Sequence, residues 1–299
     1  VLTTRSLFII IAVLAAAVAI PCVVVAGRAF HYAVLDDGGR APPSPLLDHP
    51  ESVGIPGLTN VEFSGSAGTL LRGWYVPAKN RAAVIVTSGT SANRLDMQQD
   101  VRILAEAGFG VLAFDWPGTG QSGGAVNWGR PAVAALEAAV DYLVQRVDVD
   151  PKRIGALGFS IGGIETSVVA SSDPRLRAVI LEGTPPQTAT SVVSNSATQL
   201  LHHLPEVWAA RLYGLPEGSV RPVELVGRIA PRAVFLIGGT RDIYANPQAM
   251  AQMCSATGEP KQCWVVPDAV HGGYADAAPS EYAARITGFF ARELFENAH

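Results

Sequence analysis

The chain has 299 residues, of which 48% are hydrophobic and only 16% charged, with a formal net charge of −4. That is enough apolar material for a sizeable core, and too little charge for a disordered chain or a nucleic-acid-coating surface, whose mark is an excess of Lys and Arg. No zinc-type Cys/His spacing and no G-x-x-x-x-G-K-[ST] phosphate loop occurs, so neither a metal, a cofactor nor a nucleic-acid partner is expected.

The run Leu7 to Gly27 carries no charge over 21 residues, and about 20 apolar residues cross a bilayer as a helix. Residues 1–28 are therefore expected to be a transmembrane anchor, with a cleaved signal peptide as the rival reading, since Val24 and Ala26 fit the small-residue positions before a cut. Arg5 and Arg28 flank the run and give a weak preference for the bulk of the chain outside the cytoplasm, membrane-anchored or secreted. Residues 29–56, rich in Pro and Gly from Asp37 onward, read as a linker. Residues 57–299 are then left as one domain.

Within that domain, Asn60 to Ser64 and Thr69 to Val76 alternate around Gly65 and Gly68, which predicts a hairpin at a sheet edge. Six short apolar runs follow: Ala82 to Thr87, Gly110 to Phe114, Ile154 to Leu157, Ala178 to Leu181, Ala233 to Ile237 and Cys263 to Val266. They read as buried strands. Met97 to Ala107, Pro131 to Arg146, Ile161 to Ser171, Pro247 to Ala256 and Pro279 to Asn297 carry apolar residues at helical spacing. Strand and helix in alternation predict an α/β fold, a mostly parallel sheet with helices on both faces. The stretch between Gly183 and Pro231 breaks the rhythm. Residues 184–230 are expected to form a small helical lid, with packing on the domain as the plainer alternative. For Cys254 and Cys263 two readings stand, a bridge and two unpaired half-buried thiols.

The chemistry gathers at strand ends. Gly158-Phe159-Ser160-Ile161-Gly162 is a G-x-S-x-G between a strand and a helix, the setting of a serine nucleophile. A serine needs a base, and the base needs a carboxylate to fix its tautomer. His271 follows the last strand and Asp242 follows the strand before it, which completes the order Ser, Asp, His. Glu182, at the end of the preceding strand, is the other candidate acid. His202 and His203 fall in the insertion and are assigned to the lid surface.

Three motifs carry a family resemblance: Asp115-Trp116-Pro117-Gly118-Thr119-Gly120-Gln121-Ser122-Gly123, Asp150-Pro151-Lys152-Arg153-Ile154-Gly155, and Gly158 to Gly163. From about Asn60 onward the chain resembles the α/β-hydrolase superfamily, in its esterase, dienelactone-hydrolase-like and serine-aminopeptidase-like branches. The resemblance implies an oxyanion hole from the N–H of Ile161 and a second donor in Ser88-Gly89-Thr90-Ser91, assigned to Thr90. Relatives commonly have His-Gly where this chain has Ser88-Gly89. Asp115 is read as a turn-stabilising acceptor. The expected function is a serine hydrolase acting through an acyl-enzyme on an ester, thioester or amide, most simply a carboxylesterase for a small apolar acyl substrate. An acyltransferase with the same triad and a non-enzymatic binding protein are the competing classes. The sequence assigns no oligomeric state.

Overall fold

The computed structural model describes residues 44–90, 92–126, 128–187 and 220–296. Eight strands form one sheet: β1 (Thr59–Ser64), β2 (Leu70–Val76), β3 (Ala83–Thr87), β4 (Gly110–Phe114), β5 (Ile154–Phe159), β6 (Leu176–Glu182), β7 (Ala233–Gly239) and β8 (Lys261–Val266). Their order is β1-β2-β4-β3-β5-β6-β7-β8. The hairpin β1–β2 and the β2–β4 pair are antiparallel, and every other pairing is parallel. This is the α/β-hydrolase arrangement that the motifs imply.

The apolar runs of the central strands are continuous because both faces of the sheet are covered. Along β3, Val84 and Val86 join one core while Ala83 and Ile85 join the other. The same alternation sends Phe235 and Ile237 of β7 to the first core and Val234 and Leu236 to the second. Helices α1 (Gln98–Glu106) and α5 (Pro279–Ala291) cover the first face with Val101, Leu104, Ile286 and Phe290. Helices α2 (Arg130–Val144), α3 (Ile161–Ser172) and α4 (Pro247–Ala256) cover the second. With the parallel strands aligned, the loops after β3, β5, β6, β7 and β8 open on one edge, where such sheets gather function.

Two expected boundaries need correction. The linker read over 29–56 is, from Ser44 onward, part of the domain. Leu47, Val53, Ile55 and Leu58 are buried in the first core. Arg102 donates to the carbonyls of Val53 and Gly54 at 2.8 Å each, and Arg94 donates to that of Leu47 at 3.0 Å. Two short 3-10 turns, Pro45–Leu47 and Pro50–Val53, space these apolar residues irregularly, so no period betrays them. The lid read over 184–230 also loses its return leg. Val226 and Ile229 are fully buried in the second core, and the Val223 N–H donates to the Pro186 carbonyl at 3.1 Å, which closes the base of the insertion. Its middle, with His202 and His203, lies outside the described residues.

Cys254 and Cys263 form a disulfide that ties α4 to the edge strand β8. No helix among the described residues is long and apolar enough to cross a membrane, and Leu7 to Gly27 lies outside them.

Candidate active site

The turn from β5 into α3 is too tight for ordinary backbone. Ser160 is held at φ 55° and ψ −117°, a conformation that L residues avoid unless their surroundings impose it. The residues two positions to either side must lack side chains. A Cβ at Gly158 would stand 2.5 Å from the Gly162 carbonyl oxygen and from Thr166 Oγ1, and one at Gly162 would stand 2.7 Å from the Ser88 carbonyl oxygen. The Ser160 N–H donates to the Glu182 carbonyl at 2.8 Å, which fastens the turn to the end of β6. Ser160 is the N-cap of α3, so Ile161 has one of the N–H groups left without an intrahelical acceptor at the positive end of the helix.

Two further loops deliver partners to the hydroxyl. His271 Nε2 lies 3.0 Å from Ser160 Oγ, and His271 Nδ1 lies 3.0 Å from Asp242 Oδ2. A carboxylate only accepts, so Nδ1 carries the imidazole proton and Nε2 is free to accept from the serine. Asp242 is 2% exposed, yet its charge is well held. The N–H groups of Tyr244 and Ala245 donate to Oδ1 at 2.7 and 2.9 Å, and the Tyr274 hydroxyl donates to Oδ2. Burial pushes the carboxyl up, but the bonds from His271, Tyr274 and Ala245 outweigh it and hold it below its ordinary value. Tyr274 itself is pushed far up, by burial first and then by Asp242, so it stays a donor.

The ring of Phe159 packs the surrounding loops together. It lies 3.0 Å from where a Cβ of Gly89 or Gly183 would stand and 3.1 Å from that of Gly272, one glycine in each loop after β3, β6 and β8. Its centroid is 4.8 Å from that of His271, and the Tyr244 ring flanks the same imidazole at 4.8 Å. The rim beside Asp242 and His271 is apolar, with Ile243 74%, Tyr244 38% and Val270 47% exposed.

The expected residues thus fall into distinct places. Ser160, Asp242 and His271 converge in one hydrogen-bonded line. Thr90 is exposed on the loop after β3, next to Gly89, whose Cβ position is 3.3 Å from Ser160 Cβ. The Trp116 indole braces that loop by donating to the Ser88 carbonyl at 3.0 Å. Asp115 pairs with the Arg94 guanidinium in the core and accepts from the N–H groups of Arg94 and Gln121 at 2.9 Å each, in keeping with a turn-stabilising acceptor. The Glu182 carboxyl bonds to Tyr282, and it is Asp242 that meets His271. Sequence reasoning missed Tyr274 as a donor to the acid, since a tyrosine three residues past a loop histidine carries no pattern of its own. Among the described residues no group of three or more His, Cys, Asp or Glu is placed to hold a metal.

The family model for prolyl oligopeptidases (Peptidase_S9) matches residues 95–296, more than half the chain. The chain belongs to the prolyl oligopeptidase family. Among curated proteins this family member is 28% identical over 248 residues to YfhR of Escherichia coli K12, spanning 79% of this chain and 81% of YfhR. It is 28% identical over 225 residues to Rv2307c of Mycobacterium tuberculosis, spanning 73% of each. Among solved structures, the Pyrococcus furiosus esterase Pf2001 superposes with a TM-score of 0.70 at 22% identity, over 85% of this chain and 97% of that one. At that identity the likeness establishes the fold, and this prolyl oligopeptidase family member stands within the α/β-hydrolase superfamily.

Proposed function

We propose that the protein is a serine hydrolase of the carboxylesterase type, with Ser160 as nucleophile, His271 as base and Asp242 as the acid that orients it. The observation that carries this reading is the continuous line Ser160 Oγ, His271, Asp242, with both links at 3.0 Å. As the Ser160 oxygen attacks an acyl carbonyl, its proton passes to His271 Nε2, and the imidazolium forms against the carboxylate of Asp242. The N–H groups of Ile161 and Thr90 hold the tetrahedral oxyanion. The imidazolium returns its proton to the departing alkoxide, leaving an acyl-enzyme. Water gives a proton to His271 as its oxygen attacks the ester, and the imidazolium passes that proton to Ser160 Oγ as the acyl–oxygen bond breaks, releasing the acid and restoring both residues. No step calls for a metal or a cofactor.

The apolar rim of Ile243, Tyr244 and Val270 supports an apolar acyl substrate of modest size. Two features support an extracytoplasmic catalytic domain, the uncharged run Leu7 to Gly27 and the Cys254–Cys263 disulfide. A second reading, cleavage of an amide or peptide bond, is favoured by the family that the chain belongs to. One assay series separates them: p-nitrophenyl esters of increasing acyl length beside aminoacyl amides, each with and without an added alcohol acceptor. Turnover of the esters with release of free acid supports the carboxylesterase. Amide turnover alone transfers the reading to a peptidase, and product appearing on the acceptor transfers it to an acyltransferase. Failure of folded protein to react with a fluorophosphonate probe at Ser160 ends all three.

A further inference from the structure

Behind the nucleophile, three residues from distant elements meet in the core. Glu182 ends β6, Asp100 lies in the first turn of α1 and Tyr282 sits on α5, and all three are buried. The Tyr282 hydroxyl oxygen lies 2.6 Å from Asp100 Oδ1 and 2.9 Å from Glu182 Oε2. Both are hydrogen-bond distances, and each bond needs a proton between its two oxygens. The phenol supplies one, and an ionised carboxylate supplies none. The second proton therefore belongs to one of the two acids.

The surroundings say which. Asp100 stands where the helix N-terminus favours negative charge and takes a further bond from its own backbone. Its contact with the phenol is the shorter one, as fits an O–H aimed at a charged oxygen. Glu182 instead faces Asp100 from α1, Tyr282 from α5, Asp242 beyond β7 and Tyr274 beyond β8. None of these four is a cation. We propose that Glu182 is a positioning residue that carries a proton at neutral pH and donates it to Tyr282, which donates in turn to Asp100, so that the carboxyl beneath Ser160 stays neutral and the single negative charge of the trio rests on Asp100.

The other observations agree. Burial, then Asp100, push the Glu182 carboxyl well above the usual range, whereas Asp100 rises only to about 6 through burial. The Glu182 carbonyl is the acceptor of the Ser160 N–H, so the same residue anchors the nucleophile's backbone and holds a neutral carboxyl between it and α5. Ionisation would place a second negative charge beside Asp242, and none of the four groups that face Glu182 would offset it. A carboxyl raised in the folded state stabilises fully below its ordinary value of 4.5, and that stability is lost as pH rises through the folded value.

The consequence for turnover rests on the hydrolase reading; the proton itself does not. The test is infrared difference spectroscopy on the full chain at neutral pH, wild type against Glu182→Gln, whose amide N–H replaces the acid O–H. The carbonyl stretch of a protonated carboxylic acid is expected in the wild type and absent from the variant. The melting temperature of Glu182→Gln should gain on the wild type steadily as pH rises, and the alkaline limb of kcat/KM should move up by about one pH unit. Absence of the acid band, or a melting difference independent of pH, overturns the proposal. If Glu182→Gln does not fold, Tyr282→Phe keeps the ring but removes the bridge. It should shift the same band, and an unchanged band overturns the relay. A wild-type protein inert to fluorophosphonate but showing the band would sink the hydrolase reading alone.

Discussion

Replacing Asp242 by Asn removes a charge and almost no volume, so its effect is worked from hydrogen bonds. The carboxylate accepts four and donates none: Tyr244 and Ala245 N–H on Oδ1, His271 Nδ1 and the Tyr274 hydroxyl on Oδ2. An asparagine that keeps its oxygen toward the backbone pair turns its NH2 toward His271. The imidazole can meet that donor only with Nδ1 unprotonated, which moves its proton to Nε2, the atom that must receive the proton of Ser160. The flipped amide restores the imidazole but sets NH2 against two buried N–H groups, leaving donors unsatisfied at about 1–3 kcal/mol each. The first arrangement wins, and kcat should fall roughly 10⁴-fold at neutral pH, about 5.5 kcal/mol of transition-state stabilisation. Single-turnover kinetics on a p-nitrophenyl ester, with the rate of fluorophosphonate labelling beside it, measure the loss. A variant that keeps more than a tenth of the wild-type kcat refutes the reasoning, and a larger loss in Glu182→Gln than in Asp242→Asn would transfer the acid to Glu182.

Ser160→Ala should abolish labelling and turnover while the melting temperature stays within a few degrees of wild type, since only the attacking oxygen is lost; residual labelling places the nucleophile elsewhere. Tyr274→Phe withdraws a donor from a buried carboxylate, a bond worth about 1.5–3 kcal/mol, so kcat/KM should drop tenfold or more and its acid limb should move upward. Asp242, held below 3.8 in the folded state, contributes stability that is present above that value and lost as pH falls through its folded value; acid titration of the melting temperature should show this component weakened in Tyr274→Phe. The Cys254–Cys263 bridge spans 9 positions, a loop whose closure is worth about 2.5 kcal/mol. The double Cys→Ser variant should lose about that much unfolding free energy in denaturant titration, and thiol counting on unreduced, denatured protein should find neither cysteine free.

What the sequence disclosed, it disclosed through short-range pattern. The β-branched runs of β3 to β8 are continuous because both sheet faces are covered, and the alternation of Val84 with Ile85 between two cores is the same fact seen from inside. Ser160, Asp242 and His271 were legible because each follows a recognisable strand at the same sheet edge. What stayed hidden depends on tertiary contact. Leu47 and Val53 sit in short turns without period, so residues 44–56 read as linker, and what ties them to the domain is the grip of Arg94 and Arg102 on the carbonyls of Leu47, Val53 and Gly54. Val226 and Ile229 are core residues in a stretch with no strand or long helix to announce them. Tyr274 and the Glu182, Tyr282 and Asp100 trio join elements up to 182 positions apart, and no local spacing encodes that meeting.

The packing of Phe159 against Gly89, Gly183 and Gly272 makes the history of this site a matter of epistasis. At each of the three positions a methyl group would press on the ring at 3.0–3.1 Å, so the ring has to give way to admit it. Gly183 and Gly272 also lie at positive φ, where any side chain is strained, so they are doubly fixed. Gly89 is not, and its obstruction is the Phe159 ring together with the Ser160 side chain. An alanine there should be harmful beside phenylalanine and better tolerated once position 159 carries a smaller residue, so that the order in which two substitutions arise decides whether the lineage passes through an inactive intermediate. The loop that carries Thr90 and the turn that carries Ser160 are thereby coupled in what each can change.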